Sequence, residues 1–291
     1  MPLSESELIL NPDGSIYHLN LHPEDIAQTI ITVGDPERVK SVSKHFDSLE
    51  VAKGKREFLT HTGILGGKRI TVVSTGIGTD NVDIVLNELD ALVNIDFSSR
   101  EVRKDKIQLD FIRIGTSGAI QPDIEVDSFL LSEHAIGLDG LLHFYQSESV
   151  QNGEMGAAFS VHLGLEGEKI RPYAVDSDKE LASLLNSNRI RFGITLTNAG
   201  FYGPQSRKMR LTPKFDDFNQ HLASFQYDGK KITNLEMETA GIYGLAKLLG
   251  HRAVSLNAIL ANRASGGFSK KPQQTIDSLI TYTLEKIVQH F

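Results

Sequence analysis

Cysteine is absent from this chain of 291 residues, and its absence excludes several kinds of chemistry. Without thiols the protein has no disulfide, no thiolate metal site and no cysteine nucleophile. A basic surplus is lacking as well, because the net charge is −7 and the pI is about 5.8. That balance lacks the electrostatic footprint of a nucleic-acid-binding protein. Scattered basic residues in an acidic chain suit a small anionic ligand better than a polyanion.

Long apolar runs are also missing. No stretch approaches the roughly 20 apolar residues of a transmembrane helix, and residues 1–10 carry two glutamates where a secretory signal would be basic and apolar. We therefore expect a cytoplasmic protein with no membrane partner. Its composition, 40% hydrophobic and 23% charged residues, is that of an ordinary globular protein.

Strand and helix signals alternate along the chain. This alternation predicts an α/β protein, with a mixed, largely parallel central sheet flanked by helices, in a single domain over residues 1–291. Strands are predicted over 29–33, 69–74, 111–120, 126–135, 190–195, 232–235 and 253–261. Helices are predicted from 36 onward, through 84–92, over 178–185, from 236 to 249 and over 276–291. Residues 95–108 are expected to form an exposed connection, partly helical or mobile, and residues 147–160 a loop.

One arginine stands inside the apolar strand Phe111–Ile120, which ends in a Gly-Thr-Ser-Gly turn. A strand buried in a parallel sheet is normally a near-continuous apolar run. A buried guanidinium needs an anion or a carboxylate. Arg113 and the turn therefore form either a receptor for a small oxyanion such as phosphate or an internal ion pair followed by an ordinary turn. This stretch alone does not separate the two.

A second candidate anion site follows the first strand, in Gly34-Asp-Pro-Glu-Arg38. Asp35 is a good N-cap and Pro36 a good first helical residue, so the positive end of a helix lies next to Arg38. A plain strand–helix junction with a solvated arginine is the alternative. The later Gly76-Ile-Gly78 lacks the third glycine of a dinucleotide-binding fingerprint, because Asn81 stands there.

Unusual polar groups collect after the predicted strands. In α/β sheets, ligands bind outside the carboxyl ends of the strands. We therefore expect one pocket for an anion and a polar ligand. Six segments are predicted to meet there: 34–38, 76–78, 113–118, 198–207, 236–238 and 262–263.

These segments, in this order, resemble the nucleoside phosphorylase family, specifically its uridine phosphorylase branch. The resemblance spans about residues 18–263. Its motifs are Gly34-Asp-Pro-Glu-Arg38, Arg56-Glu-Phe58, Ser74-Thr-Gly-Ile-Gly78, Arg113-Ile-Gly-Thr-Ser-Gly-Ala119, Leu138-Asp-Gly-Leu-Leu-His-Phe144, Phe201-Tyr-Gly-Pro-Gln-Ser-Arg207 and Glu236-Met-Glu238. It implies a pentosyltransferase that cleaves uridine with phosphate, releasing free base and ribose 1-phosphate.

The resemblance also implies a role for each matched residue. Phosphate is assigned to Gly34, Arg38, Arg113 and Thr116, with Arg56 reaching it across a subunit interface. Ribose is assigned to Met237 and Glu238 beside Glu236, with His18 coming from the neighbouring chain. The base is assigned to Phe201, Gln205 and Arg207. Without the family pattern, core packing for Met237 and favourable placement near a helix N-terminus for the two glutamates would be the simpler interpretations.

Base preference and departures from the pattern qualify this assignment. Purine-cleaving relatives place a Ser-Asp pair where this chain has Asn262-Arg263, so the resemblance favours a pyrimidine. Ser206 replaces an acidic residue of the bacterial pattern, and residues 95–108 form a longer connection. A purine nucleoside phosphorylase and a non-catalytic nucleoside-binding sensor are the alternatives.

The resemblance further implies partners. Arg56 and His18 acting across an interface require a homodimer, or a trimer of dimers, with shared active sites. No cofactor is obligatory and inorganic phosphate is the co-substrate. A potassium ion at Glu57 is left open, because Asn81 replaces the serine expected beside it.

Overall fold

The computed structural model describes residues 2–165, 167–215 and 217–291. Its strands are β1 (Thr29–Val33), β2 (Ser48–Lys55), β3 (Phe58–Leu65), β4 (Lys68–Ser74), β5 (Ile95–Asp96), β6 (Glu101–Val102), β7 (Asp110–Ala119), β8 (Phe129–Gly137), β9 (Tyr173–Asp176), β10 (Ile190–Thr197), β11 (Gln226–Tyr227), β12 (Lys230–Glu236), β13 (Arg252–Asn262) and β14 (Gly267–Phe268). Its α-helices are α1 (Pro36–Ser43), α2 (Thr79–Asn94), α3 (Gly153–His162), α4 (Lys179–Leu184), α5 (Phe218–Ser224), α6 (Thr239–Leu248) and α7 (Pro272–His290).

The main sheet runs in the order β11-β12-β10-β8-β13-β7-β1-β4-β3-β2, with β9 on β8 and β14 on β13. Strand β1 is parallel to both β4 and β7, β13 is parallel to β7, and β10 is parallel to both β8 and β12. The hairpins β2–β3 and β3–β4 and the pair β8–β13 are antiparallel. The predicted α/β class with a mixed, largely parallel sheet is confirmed.

Part of this sheet closes into a barrel, which the sequence analysis did not anticipate. The last residues of β7, Gly118 and Ala119, pair with Leu235 and Asn234 of β12. The pairings therefore form the ring β7-β13-β8-β10-β12 and back to β7. Register shifts in β13 and β10 supply the local bends that closure needs.

Helices cover the sheet through three separate apolar clusters. Side chains of α2 and α6 share the first cluster, those of α1, α4 and α7 the second, and those of α3 and α5 the third. Among the described residues, no helix combines the length and the apolar character needed to cross a membrane.

Three local predictions differ from the structure. Residues 95–108 are mostly exposed, as expected, but they carry the short antiparallel pair β5–β6 and no helix. The expected loop 147–160 contains the start of α3, because Asn152 accepts a hydrogen bond from the Met155 amide and caps an alanine-containing turn. Glu236 ends β12 and does not open a helix, since α6 begins at Thr239.

One tyrosine fastens helix α6 to the barrel. The buried Tyr243 hydroxyl donates to the Ser132 carbonyl at 2.6 Å and accepts from the Ser255 amide at 2.8 Å. Two neighbouring strands, β8 and β13, are thereby linked through one side chain of the helix.

We expect Tyr243→Phe to lower the free energy of unfolding by about 1–3 kcal/mol, because it leaves both buried backbone groups without a partner. Urea denaturation measures the change. The matched control is Tyr227→Phe, whose hydroxyl makes only a 3.4 Å contact with Glu154, and which should change stability by less than about 0.5 kcal/mol. Equal stabilities for the two variants would contradict this role of Tyr243.

Candidate active site

A cavity of about 750 Å³ lies at the carboxyl ends of the parallel strands. Its lining comes from the turns after β1 and β4, the second half of β7, the loop after β10, the end of β12 and the end of β13. Five of the six segments predicted to meet at this edge contribute lining residues. The sixth, Asn262-Arg263, does not line the cavity.

The Arg113 side chain is buried between two strand ends. One Nη2 atom lies 2.7 Å from Oε2 of Glu238 and 3.2 Å from Oε2 of Glu236. Its Nη1 donates to Asn257 Oδ1 at 3.0 Å and to Ser255 Oγ at 3.3 Å. Burial opposes the charge, but the two carboxylates outweigh it and raise the pKa of Arg113 above its usual value. The internal ion pair allowed by the sequence is therefore present, and it lies in the wall of the cavity.

A glycine makes room for this guanidinium. A Cβ atom on Gly115 would come within 1.9 Å of Nη1 of Arg113, so no larger residue fits while the arginine keeps its position. The backbone of Gly78, at φ +96°, aims its amide at Glu238 Oε1 at 2.8 Å. Two of the motif glycines thus serve the same charged pair.

Glu236 and Glu238 differ in their remaining capacity to accept hydrogen bonds. Glu236 accepts from the amides of Glu238 and Thr239 and from the hydroxyls of Thr197 and Thr239, all at 2.6–2.9 Å, so it caps the start of α6. Within the described part of the chain, Glu238 accepts only from Gly78 and Arg113. Burial raises the pKa of Glu238, although Arg113 counteracts it. Glu238 therefore keeps acceptor capacity towards the cavity.

Arg38 supplies a second guanidinium a short way along the wall. Its Nη1 donates to the Ile114 carbonyl at 3.3 Å, and no carboxylate of the described ranges forms an ion pair with it. Burial and the charge of Arg113 lower the pKa of Arg38 below its usual value. An anion placed here would relieve both effects.

A second group in the cavity lining is an aromatic ring with two hydrogen-bonding side chains. The Arg207 guanidinium lies 3.6 Å from the centre of the Phe201 ring, and its Nη1 donates to Gln205 Oε1 at 2.6 Å. Burial and the nearby Arg263 charge lower the pKa of Arg207 to about 10. Arg263 itself donates to the carbonyls of Gln205 and Ser206, so it supports this loop from behind.

The structure brings together most of the residues singled out from the sequence. The lining includes Gly34, Arg38, Glu57, Arg113, Thr116, Phe201, Gln205, Arg207, Glu236, Met237 and Glu238. It does not include His18 or Arg56. The ring of His18 pairs with Glu88 of its own chain, Nδ1 to Oε1 at 2.6 Å, and Arg56 is exposed in a left-handed turn at φ +56°.

The prediction that Asn262 lies at the cavity is wrong. Its amide donates to the carbonyls of Gln121 and Ile124 and accepts from two following amides, which stabilises the turn after β13. The side chains that β13 gives to the cavity are the apolar Leu260 and Ala261. The absence of an acid from this stretch, which the base preference relied on, is unaffected.

One lining residue carries no signal that sequence inspection could use. Phe268 of β14 lines the cavity although it is 68% exposed. It is a single apolar residue in polar surroundings. Only the antiparallel return of β14 onto β13 brings Phe268 to the site.

The motif Leu138–Phe144 contributes no residue to this cavity. Asp139 instead accepts hydrogen bonds from the Tyr173 hydroxyl at 2.7 and 2.8 Å and from the Leu141 amide. Burial raises the pKa of Asp139. This motif is a structural element beneath α2 and α6.

Comparison with known proteins places the chain among relatives of one family. The family model described as the phosphorylase superfamily matches residues 28–286. This match confirms the resemblance drawn from the motifs.

Individual relatives agree. The uridine phosphorylase of Thermococcus kodakarensis is 32% identical over 89% of this chain and 81% of its own length. That of Haemophilus influenzae is 30% identical over 85% and 86%. A Trypanosoma brucei nucleoside phosphorylase, described as showing uridine phosphorylase activity, superposes with a TM-score of 0.87 at 26% identity, over 97% of this chain and 99% of its own.

We expect inorganic phosphate to raise the melting temperature of the native protein, because the Arg38 guanidinium is available to bind an anion. In the Arg38→Ala variant, phosphate should leave the melting temperature almost unchanged. At 100 times the dissociation constant, binding adds about 2.7 kcal/mol of stability. Differential scanning fluorimetry measures the shift.

The matched control is Arg191→Ala, which removes a surface arginine paired with Asp123 at 2.9 Å. It should keep the full phosphate shift. A shift of native size in Arg38→Ala would show that the anion binds elsewhere.

Proposed function

Because the chain belongs to the phosphorylase superfamily, we propose that its cavity catalyses phosphate-dependent cleavage of a pyrimidine nucleoside, uridine, to the free base and ribose 1-phosphate. One observation carries this proposal. One cavity of about 750 Å³ is lined both by the Arg38 and Arg113 guanidinium groups and by the group of Phe201, Gln205 and Arg207.

The phosphate end is assigned to Arg38, Arg113 and Thr116, with the Gly34 turn at the start of α1. Arg38 has charge to offer an anion, and Arg113 is held within reach of the same wall. Thr116 lines the cavity and directly follows Gly115, the glycine that accommodates Arg113. Phosphate bound here would approach the sugar from the strand-end side.

Little acid–base machinery is required for the reaction itself. Breaking the glycosidic bond builds positive charge on the sugar and negative charge on the base. A fixed phosphate stabilises the developing cation and then attacks it, and fixed donors stabilise the leaving base. The arginines at both ends of the cavity match this separation of charge.

The ribose is assigned to the segment between the two ends. Glu238 retains acceptor capacity for a sugar hydroxyl, and Met237 is partly buried beside it in the lining. Glu236 is saturated by the start of α6, so we assign it the positioning of Glu238 and Arg113, not direct contact with sugar.

Recognition of a pyrimidine is assigned to Gln205 and Arg207. Glutamine both donates and accepts, whereas arginine only donates, so together they match a ring edge with a carbonyl beside an N–H. Phe201 offers a flat apolar face. The apolar Leu260 and Ala261 provide no acid to protonate a purine nitrogen, which favours a pyrimidine over a purine.

The active site is proposed to be shared between two copies of the chain, as a homodimer or a trimer of dimers. Arg56 and His18 lie outside the cavity of their own chain. Exposed on a left-handed turn, Arg56 is free to reach a neighbour. His18 would have to exchange its bond to Glu88 for one to the ribose.

A potassium ion would also depend on a second copy. Glu57 is exposed beside Asn81 at the cavity wall. One chain offers here a carboxylate and an amide, fewer oxygen ligands than hard cations take. No group of three or more acidic or histidine ligands occurs among the residues described.

A single domain over residues 1–291 and a cytoplasmic location remain predictions.

Purified protein incubated with uridine, thymidine or inosine, with and without phosphate, tests the proposed reaction. We expect uracil from uridine only when phosphate is present, quantified by chromatography of the free base. Hypoxanthine from inosine would indicate the purine alternative. Tight nucleoside binding without any base release would indicate a sensor.

Shared sites are tested by mixing two inactive variants. Arg38→Ala and Arg56→Ala should each lose most activity, since both arginines serve phosphate. Co-expressed dimers should recover about a quarter of native activity, because half of the dimers are mixed and each has one intact site of two. Co-expression of Arg38→Ala with Glu238→Gln is the control. One chain supplies both residues to a site, so each site of a mixed dimer lacks one of them and activity should not recover.

A further inference from the structure

The interior of the five-strand barrel contains a row of polar side chains, and apart from Arg113 the proposed function uses none of them. Ordinary barrels of this size are filled by apolar side chains. Here the neighbouring residues on the same strands, such as Leu131, Leu196 and Leu256, belong to the outer apolar clusters. The polar residues alternate with them and are fully buried.

These polar side chains are joined by hydrogen bonds in the order in which the strands form the ring. Arg113 Nη1 lies 3.0 Å from Asn257 Oδ1, Asn257 Nδ2 lies 3.4 Å from Ser132 Oγ, and Ser132 Oγ lies 2.5 Å from Thr195 Oγ1. Thr195 Oγ1 lies 2.8 Å from Asn234 Oδ1, and Asn234 Nδ2 lies 2.9 Å from Ser117 Oγ. The circuit begins and ends on β7, at two residues of the cavity wall.

The donor direction of this circuit is fixed by its first member. A guanidinium only donates, so Asn257 turns its oxygen to Arg113 and its NH₂ to Ser132. Thr195 gives its single hydrogen to Asn234, so the hydroxyl of Ser132 donates to Thr195. Asn234 then donates to Ser117, whose own hydrogen is left to point elsewhere.

We propose that this circuit, the barrel relay, positions Arg113 and Ser117 relative to each other for the reaction, with Asn257, Ser132, Thr195 and Asn234 as positioning residues. The inference rests on the proposed phosphorolysis. These four positioning residues lie outside the cavity lining, and they act by holding the two wall residues in one arrangement.

A fully hydrogen-bonded buried network adds little net stability over a well-packed apolar interior, but a partly broken one is costly. A circuit of six polar side chains, five of them buried inside a small barrel, therefore needs another reason. Pre-organising a buried guanidinium that must face both Glu238 and an incoming anion supplies one.

Thr195→Val is the direct test, because it removes the central hydroxyl while keeping the branched shape. The matched control is Thr62→Val, which breaks the buried Thr62–Thr71 hydroxyl pair (2.8 Å) on strands outside the barrel. Thr195→Val and Thr62→Val should lower the melting temperature by similar amounts. At 25 °C only Thr195→Val should lose kcat/KM for uridine and phosphate, by about 10-fold or more.

Two further measurements separate positioning from folding. Thr195→Ser keeps the hydroxyl and should restore most of the activity. Asn257→Leu and Asn234→Leu should each reduce kcat/KM, and the double variant should lose less than the product of the two losses, since both interrupt one circuit. Equal activity of Thr195→Val and Thr62→Val, or multiplicative losses in the double variant, would overturn the relay.

Failure of the proposed reaction can be distinguished from failure of the relay. If the native protein releases no base from uridine, calorimetric titration with inorganic phosphate replaces the activity assay. Weaker phosphate binding by Thr195→Val than by Thr62→Val would then support the relay without phosphorolysis. Equal binding by both variants would overturn it.

Discussion

The contact between Arg113 and the two carboxylates of Glu236 and Glu238 is the constraint on which the site depends. A buried guanidinium without partners would be very unfavourable. Its partners come from the end of β12, whereas the arginine comes from the middle of β7. The ion pair is satisfied only when the sheet curls far enough to bring β12 onto β7. Charge neutralisation and barrel closure are therefore one structural requirement.

Closure in turn determines where the loops go. With β7, β13, β8, β10 and β12 in a ring, parts of β7 and β13, the loop after β10 and the end of β12 line one cavity. The hairpin strands β2–β4 extend the sheet from β1 and add the Gly76–Gly78 turn to the same cavity. The cavity thus draws on residues from nearly the whole chain, although each contributing segment is only a few residues long.

The sequence was sufficient for the class of fold and for most of the cavity wall. Strand-end glycines, arginines and glutamates are visible as departures from apolar periodicity, and topology places such departures at one edge. Three features of the structure could not be predicted from the sequence. The role of Glu236 as a helix cap depends on a three-residue difference between the predicted and the observed start of α6. The pairing of β7 with β12 joins strands far apart in the chain. The Glu88 partner of His18 depends on tertiary packing between the N-terminal segment and α2. None of these leaves a local pattern.

The stack of Arg207 on Phe201 has a consequence for inhibitor design. In this structure the guanidinium covers the aromatic face at 3.6 Å. A flat compound that is to lie on Phe201 must first displace that cation, at a cost of about 0.5–1 kcal/mol for a half-exposed pair. A compound that leaves the ring covered and extends the stack from the outer side of Arg207, carrying an acceptor for its free N–H groups, avoids that cost. Selectivity would then follow from the arginine, not from the aromatic ring.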